Sequence, residues 1–575
     1  LLVLLAIATG LAASLGATAF RELLGLIQYL TFGTFGDLSV DFVTALPWWQ
    51  RLMVPTLGGL LVGYFVHKFL PSGKPMGVPQ VMEASALHGA NMSFSQGIRG
   101  AIANAMTLGF GGSSGREGPV VHLGATIGSK FARVSRLPRE QARTLLACGV
   151  AGAVAASFNA PLAGVFFALE VVIGHYALAA FAPIVMSSLV ATIASRQIYG
   201  EFPAFIIPHY ETSYFEFPAF AMLGVAAALV AVAFLRLVPI IETHMNRLPL
   251  PKCLLPAVGG LGVGVIALAF PEVLGVGYGS TDEALKGELG LLLLIGLLLA
   301  KILATALTIG SGFGGGVFSP SLFLGAMLGG AFGVIAGNAI PQLFDMQETA
   351  LFAGAGAYSM VGMGAVAGAV LGAPMSTILI IFELTGDYQL TMGVMLSTVV
   401  ASLIVNNWHG TSFFRGVLAR RGVDLNSRVK HDLLETEQVG KHMSTRFSAI
   451  PLNTPLPDLR LQLQTAPYNE LFVVGEDGSL FGTITLTDLD EAAFDHVLDD
   501  LVIAADVARL NPPMLQATDN MQDAITLMET VQEEHIPVVR SRYSRKLVGF
   551  VHEKDLMLAY NQALVRLHRD EGAAF

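Results

Sequence analysis

Long apolar stretches alternate with glycine-rich interruptions along most of the chain, a pattern that predicts a polytopic helical membrane domain. Stretches able to cross roughly 30 Å of hydrocarbon recur at about 1–30, 51–70, 141–158, 160–195, 217–240, 253–270 and 286–310, and continue to about 406. Two breaks, Gly109–Gly118 and Gly310–Gly316, fall inside otherwise apolar runs. Irregular backbone at membrane depth is tolerated only where it is buried in protein or lines a cavity, so both breaks are candidate pore elements. The leading LLVLLAIATGLAASLGATAF lacks the basic segment and polar exit of a secretory leader, which predicts a first spanning helix already under way at Leu1. Beyond about residue 421 the pattern changes to short β-like runs between polar segments.

The two breaks belong to an internal duplication. When GFGGSSGREGPVVHLGATIG (109–128) is laid on GSGFGGGVFSPSLFLGAMLGG (310–330), Gly109, Gly111, Gly115, Pro119, Leu123, Gly124 and Gly128 fall on Gly310, Gly312, Gly316, Pro320, Leu324, Gly325 and Gly329. NAPLAGVFFALE (159–170) lies on GAPMSTILIIFE (372–383) at a slightly longer offset, which puts Glu170 on Glu383. Two homologous halves, about 1–200 and 215–415, predict a repeat-built transport fold with its site at the repeat interface near the midplane.

Composition agrees with a bilayer as solvent: 53% of residues are hydrophobic and 13% charged. The first 420 residues carry equal numbers of acidic and basic groups, so the net charge of −10 belongs to the tail, which argues against a nucleic-acid partner. Cys148 and Cys253 sit in apolar stretches without neighbouring ligand residues, so neither a metal site nor a disulfide framework is predicted. Lys130, Arg133, Arg136, Arg139 and Arg143 against the single Glu140 mark a cytoplasmic loop. Arg415, Arg420 and Arg421 put the end of the membrane domain, and hence the acidic tail, on the same side. Compactness and short loops suggest a bacterial inner membrane.

The chemistry concentrates in Gly-Arg-Glu-Gly-Pro (115–119). Glycines open the backbone, and Pro119 suits a first helical turn, where its missing N–H is not needed. The amides of Arg116, Glu117 and Gly118 then point into the break, and those at Val317 and Phe318 face them from the other half. Two such ends bind an anion without a fixed full charge, weakly enough to release it. Glu117 is an ionisable group at membrane depth, a functional candidate by default. Charged, it plugs the anion site; protonated or displaced, it opens it. The plainer alternative is an N-terminal helix carboxylate, but Phe318 at the equivalent place shows that the fold does not need an acid there.

GREGP at 115–119, GGVFSP at 315–320, NAPLAG at 159–164 and the two-half layout resemble the CLC family of chloride channels and chloride/proton exchangers. The resemblance implies inverted repeats with broken half-helices, a homodimer with one anion pathway per subunit, and an external gate at Glu117. It further implies that the family's Gly-Ser-Gly-Ile-Pro segment corresponds to Pro75–Pro79, with Met76 in place of the serine beside Gly77, and that its anion-binding tyrosine corresponds to Phe414, with Phe413 adjacent. Loss of both hydroxyls predicts weaker anion binding at the centre. The exchangers' internal proton glutamate falls on Val171, which cannot relay a proton. Glu170 is then either a substitute donor or, as its mate Glu383 suggests, a buried helix-end carboxylate.

The tail repeats itself too: LFGTITLTDL (480–489) matches LVGFVHEKDL (547–556), each preceded by another β-like run. The pattern resembles paired CBS modules, here 439–495 and 505–562 after a linker at 422–438. In such modules a Gly-x-x-Thr-x-x-Asp pattern can hold an adenine nucleotide's ribose; Gly482, Thr485 and Asp488 fit it, whereas the second copy has His552 for the threonine. A purely structural module is the alternative, and His535 and His552 are read as ordinary residues rather than metal ligands.

A passive, voltage- or pH-gated chloride channel is the favoured reading, and a chloride/proton antiporter the alternative. A CBS-bearing divalent-cation transporter needs clustered intramembrane acids, but Glu117, Glu170 and Glu383 are scattered. No nucleophile–base pair points to an enzyme.

Overall fold

The computed structural model describes the whole chain except residues 37, 72, 175–177, 201–204, 206–207, 209, 211–212, 344–353, 424–436, 467–468, 490–498, 500, 532 and 560–575. It divides into two units, Leu1–Val423 and Asp424–Phe575. Most of the expected 422–438 linker and the ends of both expected tail modules lie outside the described residues.

The first unit is helical. Its first half contains α1 (Leu2–Phe32), α2 (Val40–Ala45), α3 (Trp48–Phe69), α4 (Val78–Leu87), α5 (Phe94–Gly109), α6 (Glu117–Val134), α7 (Arg139–Phe158), α8 (Pro161–Phe167) and α9 (Leu178–Tyr199). The second contains α10 (Phe217–Arg247), α11 (Leu255–Ala269), α12 (Tyr278–Lys286), α13 (Leu291–Gly310), α14 (Phe318–Leu343), α15 (Gly354–Leu371), α16 (Pro374–Thr385) and α17 (Tyr388–Trp408), followed by α18 (Phe413–Arg420). Except for the short α2, the helices of the first half recur in order in the second. Among the described residues, ten helices are long and apolar enough to cross a membrane. The apolar stretch 160–195 is not one span: it divides into α8, a π-helical turn at Ala168–Ile173, and α9.

Packing repeats as faithfully as order does. α6 lies along α7 as α14 lies along α15, and α1 contacts α7 and α9 as α10 contacts α15 and α17. The close crossings need glycine. A Cβ on Gly124 would lie 2.3 Å from the Gly149 carbonyl oxygen, and one on Gly325 at the same distance from that of Gly362. Apolar side chains gain little from meeting each other in lipid, so close backbone approach of this kind drives helix association there.

The two halves hold each other through exchanged polar contacts. Glu170, in the π-helical turn after α8, accepts from the amides of Met375 (3.1 Å) and Ser376 (2.9 Å) at the start of α16. Glu383, near the end of α16, accepts from the amides of Leu162 and Ala163 at the start of α8, both at 2.8 Å. Each carboxylate thus meets the orphan amides of the other half's helix.

The second unit holds two sheets, built from β1 (Ala449–Pro451), β2 (Glu470–Val474), β3 (Leu480–Thr485), β4 (Arg509–Leu510), β5 (Leu515–Gln516), β6 (His535–Val539) and β7 (Leu547–His552). Their orders are β1-β2-β3-β4 and β5-β6-β7. β2 pairs antiparallel with β3, and β6 with β7, each with a register shift after its fourth residue. Each module has its own apolar core, and Phe472, Leu480, Val539 and Phe550 join the two.

Candidate functional site

The helix breaks meet where the two halves face each other. Gly115 and Gly316 form a two-residue antiparallel bridge, each amide donating to the other's carbonyl at 2.7 Å. Approach this close requires small residues: Gly315 has φ 107°, and a Cβ on it would strike the Ser114 hydroxyl. The loop before α14 is held from α5, where Asn104 Oδ1 accepts from the Gly315 amide and Thr107 Oγ1 from the Gly314 amide. The loop before α6 is held from α13, where Thr308 Oγ1 accepts from the Ser113 amide at 3.1 Å. Thr107 and Thr308 are repeat mates, so this support is also exchanged.

Glu117 opens α6 and is 2% exposed. Each of its oxygens receives a hydroxyl from the other half: Tyr278 Oη donates to Oε1 at 2.7 Å, and Ser319 Oγ donates to Oε2. Arg116 Nε lies 3.9 Å from Oε1, and its guanidinium sits 4.6 Å from the centre of the Tyr278 ring. Hydrogen bonds to a charged acceptor are worth about 1.5–3 kcal/mol each, so the two hydroxyls form a substantial latch.

A cavity of about 50 Å³ adjoins this carboxylate, lined by Glu117 and Gly118, by Gly316 to Phe318, by Gly77 to Pro79, and by the rings of Phe167, Phe413 and Phe414. It has room for a few water-sized particles. Gly118, Val317, Phe318, Gly77 and Phe414 are thus gathered as the sequence led us to expect, and Phe413 lines the cavity beside Phe414. The Gly77 amide is already engaged, donating to Gln80 Oε1 at 2.8 Å. Arg116 stands beside the carboxylate, outside the cavity lining.

Met76 corrects the sequence reading. It does not line the cavity; its side chain packs against the cluster of Val62, Val66, Leu70, Ala103 and Phe313, and its carbonyl accepts from Asn104 Nδ2. The chain turns at Gly77 into α4, which presents Gly77 and Val78 to the cavity and Met76 to the apolar core. Val171 is buried in the π-helical turn, and Glu170 beside it is committed to the α16 amides.

Tyr278 and Ser319 escaped the sequence reading. Extending the repeat to the Gly77–Val78 step would have found the first, because that step recurs as Gly277–Tyr278. Ser319 lies inside a motif already singled out, but nothing local distinguishes its hydroxyl from the others in the chain.

In the tail, the candidate nucleotide carboxylate is already occupied. Asp488 Oδ2 accepts from the Thr485 amide and hydroxyl, both at 2.7 Å, and Oδ1 pairs with Arg509 Nε at 3.0 Å. Arg509 also pairs with Glu533 across the modules. These two residues, with Thr483, His535 and Pro537, border a cleft of about 160 Å³. Beside it His535 Nδ1 meets Glu470 Oε2 at 3.2 Å. Burial, with help from Glu533 and Asp488 and against Arg509, pushes the Glu470 carboxyl up to about 7. Burial and His552 hold the His535 imidazole below its usual range. Together these favour a neutral pair sharing one hydrogen bond.

Comparison with known proteins agrees with this geometry. A putative chloride channel protein ClcB-like from Ralstonia nicotianae is 35% identical over 72% of this chain and 96% of its own length. Two solved structures share the fold. A slow cyanobacterial Cl⁻/H⁺ antiporter is 22% identical, with a TM-score of 0.61 over 73% of this chain and 97% of that one. A eukaryotic CLC transporter is 20% identical, with a TM-score of 0.62 over 96% of this chain and 97% of that one. The CBS domain model matches residues 438–495 and 504–562. With the voltage gated chloride channel model matching residues 58–406, the chain belongs to the CLC family and is a multi-pass membrane protein with a paired CBS tail.

Proposed function

We propose that this chain carries chloride across the bilayer along a pathway closed by Glu117, and that it works as a passive, gated channel. The carrying observation is the Glu117 carboxylate lining the cavity at the starts of α6 and α14, held there by Tyr278 and Ser319. Helix N-termini favour negative charge, so the carboxylate and a chloride ion compete for one place. Protonation or displacement of Glu117 leaves the amides and the two freed hydroxyls to the anion. The aromatic wall of Phe167, Phe413 and Phe414 supplies ring edges but no full charge, which suits binding weak enough for conduction.

Channel activity is favoured over antiport because position 171 is apolar and both oxygens of Glu170 already serve α16, so neither residue is free to deliver protons from the inner side. Antiport is the second reading, supported by the fold shared with the cyanobacterial antiporter. In sealed liposomes, a chloride gradient is expected to drive chloride efflux without uphill proton movement; uphill movement overturns the channel. Glu117→Gln is expected to raise efflux roughly tenfold or more and to flatten its pH dependence, the neutral amide losing the charge-assisted latch. Unchanged efflux and pH response overturn the gate.

The wider proposal is a homodimer with one pathway per subunit in a bacterial inner membrane, with the CBS tail cytoplasmic. An adenine nucleotide at Thr485 and Asp488 belongs to the same proposal, and would have to displace Arg509. Radiolabelled ATP binding to the full chain tests it, and absence of saturable binding counts against it.

A further inference from the structure

One buried cation lies outside the site described above yet touches both elements that latch it. Lys301, in the middle of α13, is wholly enclosed within a membrane helix, an expensive place for an amine. Among the described residues no carboxylate pairs with it. Its Nζ donates instead to the carbonyls of Val273 (3.1 Å) and Gly275 (3.0 Å), and lies 5.0 Å from the centre of the Phe323 ring.

Those contacts converge on Glu117's partners. Val273 and Gly275 belong to the segment that leads into α12, whose first residue is Tyr278. Phe323 stands one turn along α14 from Ser319. Between them Gly277 turns the chain with φ 90°, and a Cβ there would lie 3.1 Å from Nζ and 2.8 Å from the Phe323 ring. The amine therefore occupies the angle between the start of α12 and the first turns of α14. The repeat places Gly100 opposite Lys301, and there the nearest side chain is that of Met76. The amine belongs to one half only, the half that supplies both hydroxyls to Glu117.

We propose that Lys301 is a positioning residue for the gate: by fixing the segment before α12 and abutting α14, it holds Tyr278 and Ser319 against Glu117 and keeps the pathway closed. At membrane depth the two carbonyls have no water to turn to, so removing their donor forces the segment to repack and moves Tyr278 away from the carboxylate. This inference rests on the reading of Glu117 as the gate.

The test is a double-mutant comparison of chloride efflux from liposomes containing the full chain. Lys301→Met is expected to raise efflux roughly tenfold, about what losing one hydrogen bond to a charged group allows. Lys301→Arg, which keeps the donors, is expected to restore efflux most of the way. In a Glu117→Gln background, where the charge-assisted latch is already lost, Lys301→Met is expected to change efflux by less than about twofold. If Lys301→Met does not fold, Lys301→Gln, which retains an N–H pair, carries the same comparison with a smaller rise. Unchanged or reduced efflux in folded protein, or an equal rise in both backgrounds, overturns the inference while leaving Glu117 as the gate. If Glu117→Gln itself leaves efflux unchanged, the gate fails and the positioning role falls with it.

Discussion

The two halves of the membrane domain share a scaffold and differ in what they place on it. Both break a helix at the same glycines, cross α6 on α7 and α14 on α15 through the same small residues, and lend a glutamate to the other's helix start. Yet Glu117 stands against Phe318, Val78 against Tyr278, and Gly100 against Lys301. Backbone symmetry makes a pair of facing helix ends; side-chain asymmetry puts an acid on one half and the two hydroxyls that hold it on the other, the arrangement proposed above as the gate. Neither half contains the device alone.

The shared part can be broken first, where the largest effect is expected. Glu170→Ala and Glu383→Ala each strand two helix-start amides, one of them part-buried and the other at an exposed residue, so each should lower stability by about 2–4 kcal/mol. The shared amide contacts make the two losses comparable, with Glu170 the larger because it also accepts from the Ser376 hydroxyl, as thermal inactivation in detergent would show. An excess loss at Glu170 well beyond that of one additional hydrogen bond, about 0.5–3 kcal/mol, would point to a role there beyond helix capping.

The tail offers the same comparison between its own duplicated modules, which bring Glu470 of one against His535 of the other. A carboxyl held near 7 in the fold binds its proton more tightly there than in the unfolded chain. Its contribution is therefore complete below about pH 4.5 and is lost as pH rises towards 7, on the order of 3 kcal/mol, whereas His535 opposes it below its own unfolded value. Glu470→Gln should remove the Glu470 part of that loss and slow hydrogen exchange in β2 and β6 at pH 8. Unchanged exchange there would mean that Glu470 is not a buried titrating group.

The latch comes next. Tyr278→Phe deletes one hydroxyl from the Glu117 carboxylate, about 1.5–3 kcal/mol, and should shift the balance towards the open state roughly ten- to hundredfold at neutral pH. Val78→Tyr, at the matching place in the other half, should not tighten closure, because the latch pairs α12 with α6. Chloride efflux measures both. The smallest effect is expected at Met76: Met76→Ser should leave halide affinity unchanged by calorimetry and lower thermal stability, because its side chain belongs to an apolar cluster.

Much of this was legible in the chain itself. Length and hydropathy determine the spans, the glycine spacing determines the breaks and their pairing, and the charge distribution and β-like runs determine a separate duplicated tail. Glu117 stood out because an acid among apolar residues needs a reason. Only the tertiary structure decided what surrounds it. Tyr278 lies 161 residues from Glu117 and Ser319 lies 202, and a hydroxyl carries no local signal of the carboxylate it will meet. The same holds for the exchange of Glu170 and Glu383, for the turn at Gly77 that sends Met76 into the core, and for Lys301 between α12 and α14. Periodicity along one strand of sequence reports which face of an element is buried; the partner it is buried against is set by how two halves pack around each other.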